Sequence, residues 1–149
     1  VNEQIKLDNQ QFDGINNLDH QITWGNNFKW RRWSLSLAMK YHSGLPYTKI
    51  NTDNPLIQQT EGNINRINFE KPNAASLPDY FRLDSSVQYQ LETRNAGNFK
   101  FSLGLINLTN DHNILRRNFR LNRINEDRIQ QIENIGLNFT INFGISWSL

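Results

Sequence analysis

The chain has 149 residues, a formal net charge of +2 and no cysteine. Without cysteine there is no disulfide framework, no Cys-based zinc site and no thiol nucleophile, and so small a charge, with a pI near 9.1, gives no footing for nucleic acid. Mean hydropathy is −0.68, and no apolar run approaches the ~18–20 residues of a transmembrane helix; this excludes a helical membrane protein, but not a barrel, whose strands turn only every second residue to lipid. Length alone suggests one domain. A chain that begins at Val1 without a signal peptide reads as a mature or internal segment.

The dominant signal is alternation with period two, the period of a β-strand. The first strand places Ile22, Trp24 and Phe28 on one face together with Asn26, and a short connection is expected at Asn26–Lys29. In the second, Trp33, Leu35, Leu37, Met39 and Tyr41 alternate with Arg32, Ser34, Ser36, Ala38 and Lys40. A long connection follows, roughly Ser43 to Asp79, holding Pro46, Pro55, Pro72 and Pro78. In the third strand Phe81, Leu83, Val87, Tyr89 and Leu91 alternate with Arg82, Asp84, Ser86, Gln88 and Gln90, and Ser85 is the one polar exception. A short turn from Thr93 to Asn98 contains Asn95 and Gly97.

The fourth strand carries Phe99, Phe101, Leu103 and Leu105 on one face. Asn107 breaks that face, Ile106 and Leu108 have the opposite parity, and a bulge near there would restore the pattern. The second long connection, Asp111 to Asn134, reads as an extended hairpin turning at Asn125-Glu126-Asp127. The last strand is the most regular: Leu137, Phe139, Ile141, Phe143, Ile145, Trp147 and Leu149 alternate with small or polar residues. From 137 to 149 it runs ~40 Å at ~3.3 Å per residue. Tilted by ~45°, it rises ~28 Å, close to the ~25 Å apolar band of an outer-membrane barrel, whereas globular strands are typically ~5–6 residues long.

These apolar faces hold no charge, as a lipid-facing surface requires. The residues assigned to lipid are Trp33, Leu35, Leu37, Met39, Leu83, Val87, Tyr89, Leu137, Phe139, Ile141, Phe143, Ile145 and Trp147. Short turns at one end and long loops at the other is the outer-membrane barrel arrangement. Phe28, Trp30, Trp33, Tyr89, Phe99 and Trp147 fall near the short-turn end, and Tyr41, Tyr47, Tyr80 and Phe81 near the other, as two interfacial aromatic girdles would. The expected fold is thus an antiparallel transmembrane β-barrel segment of about five long strands. Five strands cannot close, since the smallest such barrels have about eight, so the rest of the wall is expected from elsewhere, most simply from upstream sequence.

Several segments on these strands resemble the late barrel of TonB-dependent transporters. The run Tyr41-His42-Ser43-Gly44-Leu45-Pro46-Tyr47-Thr48 is similar to the Ser-Gly-x-Pro-Tyr-Thr segment that enters an extracellular loop in that family. Leu77-Pro78-Asp79-Tyr80-Phe81-Arg82-Leu83-Asp84 resembles its Pro-x-Tyr-x-Arg-Leu-Asp strand start. Asn107-Leu108-Thr109-Asn110 resembles the Asn-Leu-Phe-Asn that follows, with Thr109 replacing the aromatic. The resemblance runs from about residue 17 onward, over residues 1–149 taken as one C-terminal barrel portion. It implies residence in the outer membrane of a Gram-negative bacterium and import of a scarce nutrient, such as a metal chelate (a siderophore among them), a vitamin or an oligosaccharide. It implies partners as well: outer-membrane lipids and lipopolysaccharide, an upstream barrel and plug, TonB acting through that plug, and the barrel-assembly machinery. Phe143, Ile145, Trp147 and Leu149 would carry the assembly signal, which in the family normally ends in an aromatic rather than leucine. The family's plug and energy-coupling box do not occur in these residues.

Catalytic chemistry is not indicated. His20, His42 and His112 are scattered without metal-ligand spacing, no Gly-x-Ser-x-Gly elbow or phosphate-binding glycine loop occurs, and neither an enzyme nor a cofactor is expected. Asp79 and Asp84 flank Arg82, and an ion pair fixing the start of the strand is the preferred reading over acid–base work. Candidate ligand residues are Tyr47, Tyr80, Arg116, Arg117, Arg120 and Arg123. With Arg128, the arginines would suit phosphate or carboxylate; the alternative, which is preferred, is a solvated hairpin with Glu126, Asp127 and Glu133 as partners. Tyr47, Tyr80 and the asparagines of the 43–79 loop would line a substrate vestibule; for Tyr47 and Tyr80, loop packing and interface anchoring is the preferred reading. Two other readings of the whole stay open: a different outer-membrane barrel (porin, assembly or secretion channel), or a soluble β-barrel or β-sandwich binding protein.

Overall fold

The computed structural model describes residues 4–7, 10–58, 65–94, 97–122 and 128–148, and all regular structure in them is β. In chain order the strands are β1 (Gln4–Leu7), β2 (Gln10–Asp13), β3 (Gln21–Trp30), β4 (Trp33–His42), β5 (Pro46–Tyr47), β6 (Leu56–Gln58), β7 (Asn65–Ile67), β8 (Ala75–Ser76), β9 (Tyr80–Thr93), β10 (Gly97–Ile106), β11 (Ile114–Leu121), β12 (Ile129–Ile135) and β13 (Thr140–Ser148). They fall into two units: residues 21–42, 80–113 and 137–149 form a sheet unit, and residues 1–20, 43–79 and 114–136 form a loop unit.

The sheet unit is one antiparallel sheet of five strands in the order β13-β10-β9-β4-β3, and the five strands expected from alternation are all present. The register aligns them into cross-strand rows. Phe28, Leu35, Val87, Leu103 and Phe143 make one row, and Trp30, Trp33, Tyr89, Phe101 and Ile145 the next. A third row, nearer the short turns, holds Leu91, Phe99 and Trp147. Trp24, Met39 and Leu83 continue the face at the other end, followed by Ile22, Tyr41 and Phe81. Its two polar members, Asn26 and Ser85, stand in one row, on either side of Leu37 and level with Leu105 and Ile141.

The opposite face is polar or small apart from Ile106 at the end of β10, as in the row Asn27, Ser36, Ser86, Gly104 and Asn142. Opposing residues in a sheet share a face and neighbours along a strand alternate, so a single register fixes all of these placements.

Three expectations are corrected. The last strand is shorter than expected: β13 begins at Thr140, so Leu137 and Phe139, assigned to lipid on that strand, precede it, though both are exposed. The connection expected at Asn26–Lys29 is strand: β3 runs on to Trp30, which pairs with Trp33, and the turn is Arg31-Arg32. Arg31 supplies the left-handed residue (φ 53°) that a two-residue hairpin needs, while Asn27 accepts a hydrogen bond from Ser36 Oγ across the ladder. Nor does a bulge restore the pattern after Leu105. β10 stops at Ile106, and Asn107 leaves it in the left-handed region with φ 53°. The second short turn sits where it was expected, between Thr93 and Gly97 (φ 81°), with Thr93 Oγ1 donating to the Gly97 carbonyl over 2.6 Å; Asn95 lies outside the described residues.

In the loop unit the first long connection is a folded ribbon. β5 pairs with β8, Ile50 bridges Phe69, and β6 pairs with β7. The second is the expected extended hairpin, β11 with β12, although its turn at Asn125-Glu126-Asp127 lies outside the described residues. β1 and β2 form a further hairpin, which the sequence reading did not foresee. Among the described residues Leu77 is the one buried large hydrophobic side chain. The apolar sheet face is uncovered, with Phe143 at 70% exposure.

Candidate ligand-binding site

The loop unit holds a cavity of about 490 Å³, within the ~300–1,000 Å³ range of small-molecule sites. Leu45, Pro46, Tyr47 and Thr48 of the Ser-Gly-Leu-Pro-Tyr-Thr run line it, and the residues around them hold the run in place. Ser43 Oγ accepts the backbone N–H groups of Asp19 and His20. Gly44 passes so close to Leu77 that a Cβ there would lie 1.6 Å from the Leu77 carbonyl oxygen, and its N–H donates to Asp79 Oδ1 over 3.1 Å. Pro46 and Tyr47 pair with Ser76 and Ala75, and Thr48 Oγ1 accepts the Asn73 N–H. Leu45, Pro46, Tyr47, Thr48, Asn73 and Leu77 form one wall. Ile15, Asn16 and Phe69 add to it.

The other wall is Leu115, Arg116, Arg117, Asn118 and Phe119 of β11. Five consecutive residues can all reach the cavity only along the strand edge away from β12. Tyr47, Phe69 and Phe119 form an aromatic group, the Phe119 ring lying 6.5 Å from Tyr47 and 6.4 Å from Phe69. Arg117 is held on three sides. Its Nε and Nη2 reach Glu133 Oε1 at 2.8 and 2.7 Å, its Nη1 donates to the Tyr47 hydroxyl at 2.9 Å, and its guanidinium lies 5.0 Å from the Tyr47 ring centre. Burial works against the Arg117 charge, but the bonds to Tyr47 and Glu133 outweigh it and raise its pKa above the ordinary guanidinium value.

Of the candidate ligand residues, the fold brings Tyr47, Arg116 and Arg117 to this cavity. Arg120 is exposed, its Nε donating to Gln130, and it does not line the cavity. Tyr80 belongs to the sheet unit, where it stacks on His42 with ring centres 4.6 Å apart and lies under Lys40 Nζ at 5.9 Å. Arg123, Glu126 and Asp127 lie outside the described residues. Glu133 is a partner of the arginine cluster, as expected. Asn73 is one of the asparagines of the 43–79 loop expected to line a vestibule, and it does line the cavity; Phe69, Phe119 and Asn118 were not expected, and the only signal was Phe119 sharing strand parity with Arg117.

The remaining polar clusters are structural. Arg82 donates to Asp84 in bidentate fashion at 2.6–2.9 Å, the ion pair expected at the start of β9, while Asp79 turns to Gly44. No cluster of His, Asp and Glu among the described residues is placed to hold a metal ion. Comparison with protein-family models, curated proteins and solved structures found no match to this chain.

Proposed function

We propose that the sheet unit is part of the wall of an outer-membrane β-barrel, and that the whole protein imports a nutrient in the manner of TonB-dependent transporters. The observation that carries the reading is the pairing of rows: one sheet face is apolar along all five strands, with exposed large side chains on every strand but the central β9, and the other is polar or small apart from Ile106 at its end. Along β9 the apolar face extends from Phe81 to Leu91, ~33 Å at ~3.3 Å per residue and ~23 Å of membrane normal at ~45° tilt. A β-sandwich would have covered that face with a second sheet. The family resemblance supplies the rest: a TonB-coupled plug upstream, a metal chelate, vitamin or oligosaccharide as cargo, and β13 as the strand read by the assembly machinery, although Leu149 itself lies outside the described residues.

These 149 residues hold no cysteine, so a cysteine introduced among them is the only one in the segment, and the unsubstituted protein gives the background. Cysteines at positions 141–146 in the membrane-inserted protein should alternate. Those at 141, 143 and 145 should react with a lipid-soluble maleimide, and those at 142, 144 and 146 with a charged one. Uniform reaction with the charged reagent, or recovery of the protein in the aqueous fraction, would overturn the reading.

A further inference from the structure

We propose that the cavity beside β11 binds a sugar residue of a neutral oligosaccharide. This deepens the transport reading and rests on it, by choosing among its cargo classes. The arginines first suggest an anion, but their arrangement argues otherwise. Arg117 already has a carboxylate, Glu133, on two of its nitrogens and the Tyr47 hydroxyl on the third. Its charge is compensated, and its geometric effect is to fix the Tyr47 ring. Of the two arginines that line the cavity, Arg116 has no partner among the described residues, and it is exposed, where a lone cation attracts weakly and is screened by salt.

What the cavity offers instead is ring faces and amides. Tyr47, Phe69 and Phe119 present aromatic surface whose negative faces suit the polarised C–H groups on the apolar side of a pyranose. Asn16 and Asn118 have side-chain amides that no described residue engages. Each amide donates and accepts, which matches vicinal hydroxyls without demanding charge. A cavity of about 490 Å³ leaves room for one or two such rings.

The test is calorimetric titration of the full protein in detergent with maltohexaose, cellohexaose, xylohexaose and mannohexaose, and with citrate as the anionic probe. At least one hexaose should bind, with an affinity unchanged between low and high salt. Phe119→Leu, which keeps apolar bulk but removes the ring face, should weaken binding about tenfold or more, as loss of an aromatic anchor does. Arg116→Gln should change it by less than about threefold, as expected of an exposed, screened charge. Binding by none of the hexaoses, or binding of citrate alone with loss in high salt and in Arg116→Gln, would overturn the proposal. Cysteine labelling at 141–146 reads only the sheet, so failure of the sugar assignment and failure of the barrel reading are told apart.

Discussion

Asparagine does much of the joining at the strand ends. Asn107 is fully buried at 0% exposure and holds φ 53°. Its Nδ2 donates to the carbonyls of Asp111 and Leu137, and its N–H donates to Asp84 Oδ1, so one residue ties the ends of β9 and β10 to the approach of β13. Asn110 Oδ1 accepts the Phe139 N–H. Asn113, also buried, exchanges two hydrogen bonds with the Phe81 backbone, in place of a ladder neighbour. Replacing Asn107 by alanine removes the hydrogen bonds to the Asp111 and Leu137 carbonyls, at ~0.5–1.5 kcal/mol each, and puts a Cβ without compensation in a left-handed site at ~1–2 kcal/mol. We expect Asn107→Ala to cost about 2–4 kcal/mol in guanidinium unfolding followed by tryptophan fluorescence. Asn107→Gly, free of the backbone penalty, should cost less; equal losses would mean that the left-handed conformation carries no part of the effect. This role was half legible in sequence. The break in alternation at Asn107 was visible, but alternation cannot distinguish a bulge from a strand end, because both shift parity by one. The motif around Gly44 was visible too, whereas the reason for it, the crossing of Leu77, depends on a contact thirty-three positions away.

The strand is where sequence spoke most clearly, since period two fixes faces before any partner is known. It spoke least clearly about turns. The run Asn26-Asn27 has turn chemistry, yet Asn27 spends its amide on Ser36, and the hairpin turns instead at two arginines that composition alone would not choose. Asn26 and Ser85 looked like independent defects in the apolar pattern; the register puts them in one row, on either side of Leu37. The faces yield a test on the elements themselves. Leu103 and Asn142 both stand near the middle of the sheet on opposite faces. If the apolar face meets lipid, Leu103→Arg should cost ~2–4 kcal/mol, the midplane penalty for a cation on a barrel's lipid face, and should sharply lower the amount of folded protein in the outer membrane. Asn142→Arg, pointing the other way, should stay near wild type. In water neither exposed position would matter by more than ~0.5 kcal/mol, so equal, near-neutral behaviour of the two variants would reject the lipid-facing assignment.

At the scale of the molecule the count of strands has a geometric consequence. In an antiparallel meander of five strands the two edge strands, β3 and β13, run in the same direction. Joining two copies edge to edge in the same membrane orientation would therefore force parallel pairing. Antiparallel closure needs an odd number of additional strands, and at least three to reach the ~8 of the smallest membrane barrels. Until those strands pair with them, β3 and β13 present open backbone edges beside an uncovered apolar face, and such edges template association. The apolar face runs through Trp24, Phe28, Trp30, Trp33, Phe143, Ile145 and Trp147, all exposed, while among the described residues of the loop unit Leu77 is the one buried large hydrophobic side chain. A domain folding by itself in water would have to bury most of these rings, because the hydrophobic effect yields only ~25 cal/mol per Å² actually removed from water. The 149-residue chain expressed by itself should accordingly aggregate in buffer. In micelles it should gain β-structure without the cooperative melting of a closed barrel. Circular dichroism, light scattering and thermal melting in the two solvents decide the matter. A monomer that melts cooperatively in detergent-free buffer would mean that the apolar face finds cover within the chain, and would move the assignment from a membrane wall to a soluble binding protein.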